Sequence, residues 1–85
     1  MQVVYEKQFT KVFKKLLPKI QEKFFEHLHA FAVNKYDLIL NYHSVEKVYP
    51  GCRSIDITGD YRAIFFEDDE MVTFIAIGTH AQLYK

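Results

Sequence analysis

The sequence predicts an α+β domain in which an N-terminal strand and an antiparallel helical hairpin pack on an antiparallel β-sheet of about four strands. Two observations carry this reading. Apolar residues recur at helical spacing as far as Asn34 and then, from Arg53 onward, at a period of two. A proline, Pro18, sits between two helical runs, where it can end one helix and open the next. At 85 residues the chain is long enough for one domain, spanning 1–85, with a limited core and a modest stability margin.

The elements follow in order. Gln2 to Tyr5 is short and rich in β-formers, a first or edge strand. Phe9, Val12, Phe13, Leu16 and Leu17 recur at helical spacing up to Pro18. Ile20, Phe24, Leu28 and Phe31 then line one face of a second helix that ends near Asn34. Residues 38–40 are too short a run to assign. In residues 53–57, Ile55 and Ile57 share one face and leave Ser54 and Asp56 on the other. Thr58, Gly59 and Asp60 form a turn into a strand over 61–66. An acidic turn over 67–70 leads into the last strand, 71–77, which breaks at Gly78. Three successive strands joined by short turns make a meander.

Composition narrows the function classes. Hydrophobic residues make up 49% and charged residues 26%, a globular rather than disordered balance. No apolar run reaches the length of a membrane span, and residues 1–7 lack the basic-then-apolar layout of a secretory leader. The single cysteine, Cys52, cannot form an internal disulfide and is expected to be a half-buried structural thiol. A cytoplasmic setting is the simplest expectation. Net charge is zero with a pI near 6.9, which argues against a simple nucleic-acid binder. Charge is nevertheless polarised: residues 1–35 carry seven lysines against three glutamates, and residues 36–85 carry four cations, Lys47, Arg53, Arg62 and Lys85, against eight acids. His27 and His29 are two apart and share no helix face, and Gly51, Gly59 and Gly78 are isolated turn glycines. Neither a metal nor a phosphate-cradling cofactor loop is expected.

Three separated blocks carry a resemblance. They are Asn41-Tyr42-His43 before a loop ending at Gly51, the segment from Gly51 to Phe65 that turns through Gly59-Asp60-Tyr61, and the closing run Ile77-Gly78-Thr79-His80-Ala81-Gln82-Leu83-Tyr84. In this order they resemble the RelE/ParE superfamily of bacterial toxins, nearest its YafQ-like and RelE/StbE mRNA interferase branch. The resemblance implies a RelE-like fold and the toxin of a type II toxin-antitoxin pair. It implies an endoribonuclease that cuts mRNA, with the ribosome supplying part of the orientation and electrostatics that a domain with few cations lacks. Implied partners are a cognate antitoxin, mRNA and the ribosome. No membrane is involved.

Metal-independent RNA cleavage needs a base for the 2′-hydroxyl, an acid for the leaving 5′-oxygen, and a cation for the phosphorane charge. Histidine titrates near neutrality and suits the first two; arginine grips phosphate oxygens bidentately. The groups available are His80, His43, Asp60, Arg62 and Tyr84. By the resemblance, His43, Asp60 and His80 match the family's acid/base residues, Tyr84 its terminal aromatic and Arg62 a phosphate-binding arginine. Each has a plainer reading. His43 could be bonded to loop backbone, Asp60 could serve the turn alone, Arg62 could pair with Asp56 or Asp60, and Tyr84 and His80 could be ordinary tail residues. Two positions depart from the family pattern: Asp56 stands where several YafQ-like members have histidine, and Ala76 where some have arginine. The alternatives are therefore a ParE-like gyrase-binding toxin without nuclease chemistry, or an inactive antitoxin-binding homologue. The helical phenylalanines, Phe9, Phe13, Phe24, Phe25 and Phe31, exceed what one core face needs and suggest a partner groove.

Overall fold

In the computed structural model, residues 1–84 are described, so Lys85 lies outside the described residues. Strand β1 (Gln2–Tyr5) leads into α1 (Lys7–Phe13) and α2 (Pro18–Val33), a 3-10 turn at Leu38–Leu40, β2 (His43–Ser44), β3 (Arg53–Asp56), β4 (Tyr61–Glu67), β5 (Met71–Thr79) and a single helical turn, α3 (His80–Leu83). Pro18 occupies the first turn of α2, where its missing N–H costs nothing. Leu17, assigned to the first helical stripe by spacing, instead caps α2 and is exposed.

The sheet has five strands in the order β1-β5-β4-β3-β2. It is mixed: β1 runs parallel to β5, pairing Gln2 with Met71, and the remaining pairs are antiparallel. A parallel pair needs a long crossover, and the helical hairpin is the first part of it. The fifth strand, β2, has only two residues, both exposed, which is too short to show a period in sequence.

Helices α1 and α2 cover one sheet face. Phe9, Phe24, Phe31, Phe65 and Phe74 meet there with Ile55, Ile57, Ala63, Val72 and Ile77. The Phe24 and Phe74 rings sit 5.1 Å apart, edge to face. A bulge in the β4–β5 ladder pairs Ile64 with Ala76 but Phe65 with Phe74, leaving Ile75 over. The extra residue lets both Phe74 and Ile77 face the helices, which strict alternation forbids. It also lets Ile75 and Ala76 pack on the opposite face, around Val45, Cys52 and Ile64. Segment 45–52 and α3 cover this second, smaller core, and His43, Arg62, His80 and Tyr84 gather beside it.

Of the five helical phenylalanines, Phe9, Phe24 and Phe31 are buried and Phe13 half-buried. Phe25 alone is exposed, at 53%. The core absorbs the aromatic surplus that suggested a partner groove. Cys52 is buried rather than half-buried, and burial, followed by the charges of Glu46 and Glu6, pushes its thiol up.

Candidate active site

The last turn of the chain is held by three local devices. Gly78 is buried against Gln82, whose side chain lies where a Cβ would project, 2.9 Å from Oε1. Thr79 and Gln82 form a capping box: Gln82 Oε1 accepts from the Thr79 N–H at 2.8 Å and Thr79 Oγ1 accepts from the Gln82 N–H at 3.2 Å. The His80 N–H donates to the Asp60 carbonyl at 3.1 Å, tying α3 to the β3–β4 turn.

These devices bring His80 and Tyr84 beside Arg62, which stands on β4 opposite Gly78. Together with His43 on β2 and segment 44–48, they line one concavity of about 470 Å³. The His80 and Tyr84 rings are 4.7 Å apart, and Tyr49 packs edge-on against Tyr84 at 6.2 Å while donating its hydroxyl to the Leu83 carbonyl at 2.9 Å. Burial, with the neighbouring Tyr84 and Cys52, pushes the Tyr49 hydroxyl up, so it stays a donor.

His43 is exposed, and its Nδ1 lies 2.6 Å from the Asn41 carbonyl. A carbonyl only accepts, so Nδ1 carries the proton and Nε2 is the nitrogen left to take one. Asn41 sits at φ 47°, a left-handed conformation that asparagine tolerates and that turns its carbonyl toward the ring. Arg62 is more constrained. Its Nε lies 2.9 Å from Asp56 Oδ1, and its Nη1 donates to the carbonyls of Thr58, Gly59 and Tyr61 at 3.1, 3.2 and 3.2 Å. No hydrogen bond among the described residues uses its Nη2.

Four of the five sequence-nominated residues, His43, Arg62, His80 and Tyr84, thus line the same cavity. Asp60 does not. Its main chain holds His80, but its exposed side chain is not part of the lining. Of the two alternative partners for Arg62, the structure has Asp56 rather than Asp60. Lys47 also lines the cavity and was not singled out from sequence; as the one cation between His43 and Arg53 it was the available signal. The acidic turn is remote, since Glu67 and Met71 stand at the far end of the β4–β5 hairpin from the Tyr61–Thr79 pair. Among the described residues no three histidine, cysteine or acidic side chains group as metal ligands, and no helix is long and apolar enough to cross a membrane.

Comparison with solved structures finds the same fold. The Escherichia coli toxin YafQ matches over 99% of this chain and 98% of its own, with a TM-score of 0.79 and 21% identity. YafQ in the E. coli DinJ-YafQ toxin-antitoxin complex matches with a TM-score of 0.77, 21% identity, and coverage of 99% and 97%. The YoeB dimer from Staphylococcus aureus matches over 94% and 97% with a TM-score of 0.78 and 18% identity. Among curated proteins, none matches by sequence. A family model described as the ParE toxin of the type II toxin-antitoxin system, parDE, matches residues 3–84. With nearly the whole chain matched, this protein belongs to the ParE toxin family of type II toxin-antitoxin systems, within the RelE/ParE superfamily.

Proposed function

We propose that this toxin is an endoribonuclease that cuts mRNA on the ribosome by metal-independent acid/base chemistry. The observation that carries the reading is the shared cavity: two histidines, an arginine and a tyrosine drawn from three separate stretches of chain line one concavity. His43 Nε2 takes the proton of the 2′-hydroxyl as that oxygen attacks the adjacent phosphorus. The bond from phosphorus to the 5′-oxygen breaks, and protonated His80 supplies that oxygen's proton. Arg62 offers Nη2 to a phosphate oxygen, and Tyr84 holds the His80 ring and a flanking base by stacking. Asp60 acts through its carbonyl, which fixes His80. The products are a cyclic phosphate and a 5′-hydroxyl.

The ribosome enters through the charge. With a net charge of zero and Arg62 already paired, the chain alone neutralises few phosphates, so orientation by programmed ribosomes supplies what it lacks. A cognate antitoxin is the partner that keeps the toxin silent in the cytoplasm. The similar DinJ-YafQ and YoeB-YefM structures are toxin-antitoxin complexes and support that partnership.

The test is cleavage of a defined mRNA with and without programmed ribosomes. Cuts are expected only with ribosomes, with 5′-hydroxyl ends, and are lost in His43→Ala and His80→Ala proteins that fold normally. No cleavage in either condition overturns the nuclease reading. A second reading, gyrase binding without chemistry, is favoured by the family model itself and by the neutralised Arg62. It expects both alanine variants to stay toxic, with gyrase-dependent DNA breaks.

A further inference from the structure

Arg62 supplies the guanidinium of the cavity, yet it is held from two sides. Asp56 stands directly opposite it in the β3–β4 ladder, with the carboxylate 2.9 Å from Nε, and three carbonyls of the turn engage Nη1. The two side chains are only 18% and 23% exposed, so solvent screens the pair less than a surface one. The backbone beneath is fixed as well: His27 Nδ1 lies 2.5 Å from the Asp56 carbonyl, clamping the end of β3 to α2. The contact is nonetheless imperfect, because Asp56 Oδ1 receives no aligned hydrogen bond. A phosphate that offers two oxygens in the guanidinium plane makes the better partner.

We propose that Asp56 sets the phosphate affinity of this site by holding Arg62 in an ion pair, so that a substrate phosphate must displace a carboxylate before it gains the arginine's charge. The inference rests on the site assignment above, though not on cleavage. Asp56 is a positioning residue here: it acts through Arg62 and is not among the residues lining the cavity. The contact that Asp56 makes with α2 is through its main-chain carbonyl, so releasing Arg62 moves only the carboxylate and leaves the end of β3 in place.

The experiment measures binding to the full chain of inorganic phosphate and of a 2′-deoxy trinucleotide, which lacks the attacking hydroxyl. The Arg62 Nε–H signal is followed by NMR. Asp56→Asn is expected to bind both probes about three- to tenfold more tightly than the wild type, in keeping with a partly buried pair. Asp56→Glu should keep the low affinity, and the Asp56→Asn gain should vanish when Arg62→Ala is added. Equal or weaker binding by a folded Asp56→Asn protein, or a gain that survives Arg62→Ala, overturns the proposal. Should Asp56→Asn not fold, Asp56→Ser serves in its place. In the wild type itself, an Arg62 signal that stays put at saturating phosphate is equally fatal. A chain that binds in this pattern but never cuts mRNA refutes only the nuclease reading. A nuclease whose Asp56→Asn form binds no tighter refutes only this one.

Discussion

His43 and His80 reach the same cavity by different means, and their removal should read differently from removal of a core residue. Both are exposed, so alanine at either position should leave thermal stability nearly unchanged while lowering cleavage about 10²- to 10⁴-fold, the usual worth of a general acid or base. Single-turnover cleavage beside a melting curve checks this. Cys52 gives a second prediction at this scale. Buried in the smaller core with its thiol pushed up, it should react with a disulfide reagent at neutral pH far more slowly than a free cysteine, until denaturant opens the fold. His43, Arg62, His80 and Tyr84 were legible in sequence because residue type and motif order select them without geometry. The place of the Asp60 carboxylate was not legible. A turn residue's side chain can point into or away from a groove, and the hydrogen bonds of the turn decide which. That Arg62 would either leave the sheet face or pair with Asp56 or Asp60 could be read from alternation along the strand. Which acid it takes followed only from the cross-strand register that sets Asp56 opposite.

At the scale of elements, the four-residue helix α3 is too short to persist on its own, so its cap decides its place. Alanine at Gly78 puts a methyl 2.9 Å from Gln82 Oε1, the flexible end of a side chain that can move away only by giving up its bond to the Thr79 N–H. Gly78→Ala and Gln82→Ala are each expected to cost about 1 kcal/mol, the worth of a cap. Because both remove the same box, the double variant should cost less than their sum, as a double-mutant cycle in urea would measure. The helices were readable because long apolar stripes at a period of 3.6 are hard to mistake, and the proline marked their joint. Strand β2 and the β4–β5 bulge were not. Two residues carry no period, and a bulge is a break in one that only its partner strand reveals.

Over the whole molecule, burial lifts the hydroxyls of Tyr5, Tyr42 and Tyr49 above the usual tyrosine value near 10, and at Tyr42 a hydrogen bond to Glu67 adds to the effect. The folded state holds these protons more tightly than the unfolded one. Their contribution is therefore complete below pH 10 and is lost as pH rises through the folded values. Urea unfolding from pH 8 to 11 should show stability falling above pH 10, less steeply in Tyr42→Phe. Charge polarity gives the matching prediction in solution: binding of free RNA should be weak and its salt dependence shallow, as filter binding across salt concentrations would show. The pairing of Gln2 with Met71 also orders events during synthesis. Strand β1 leaves the ribosome before the other strands but has no neighbour until β5 follows, after both helices and three other strands. A nascent chain stopped short of β5 therefore holds an unpaired strand beside an uncovered apolar face, open to proteases and to other such chains. Strands β2, β3 and β4 can pair as they emerge, but the sheet closes only with β5, and until then the toxin is a chain without a site.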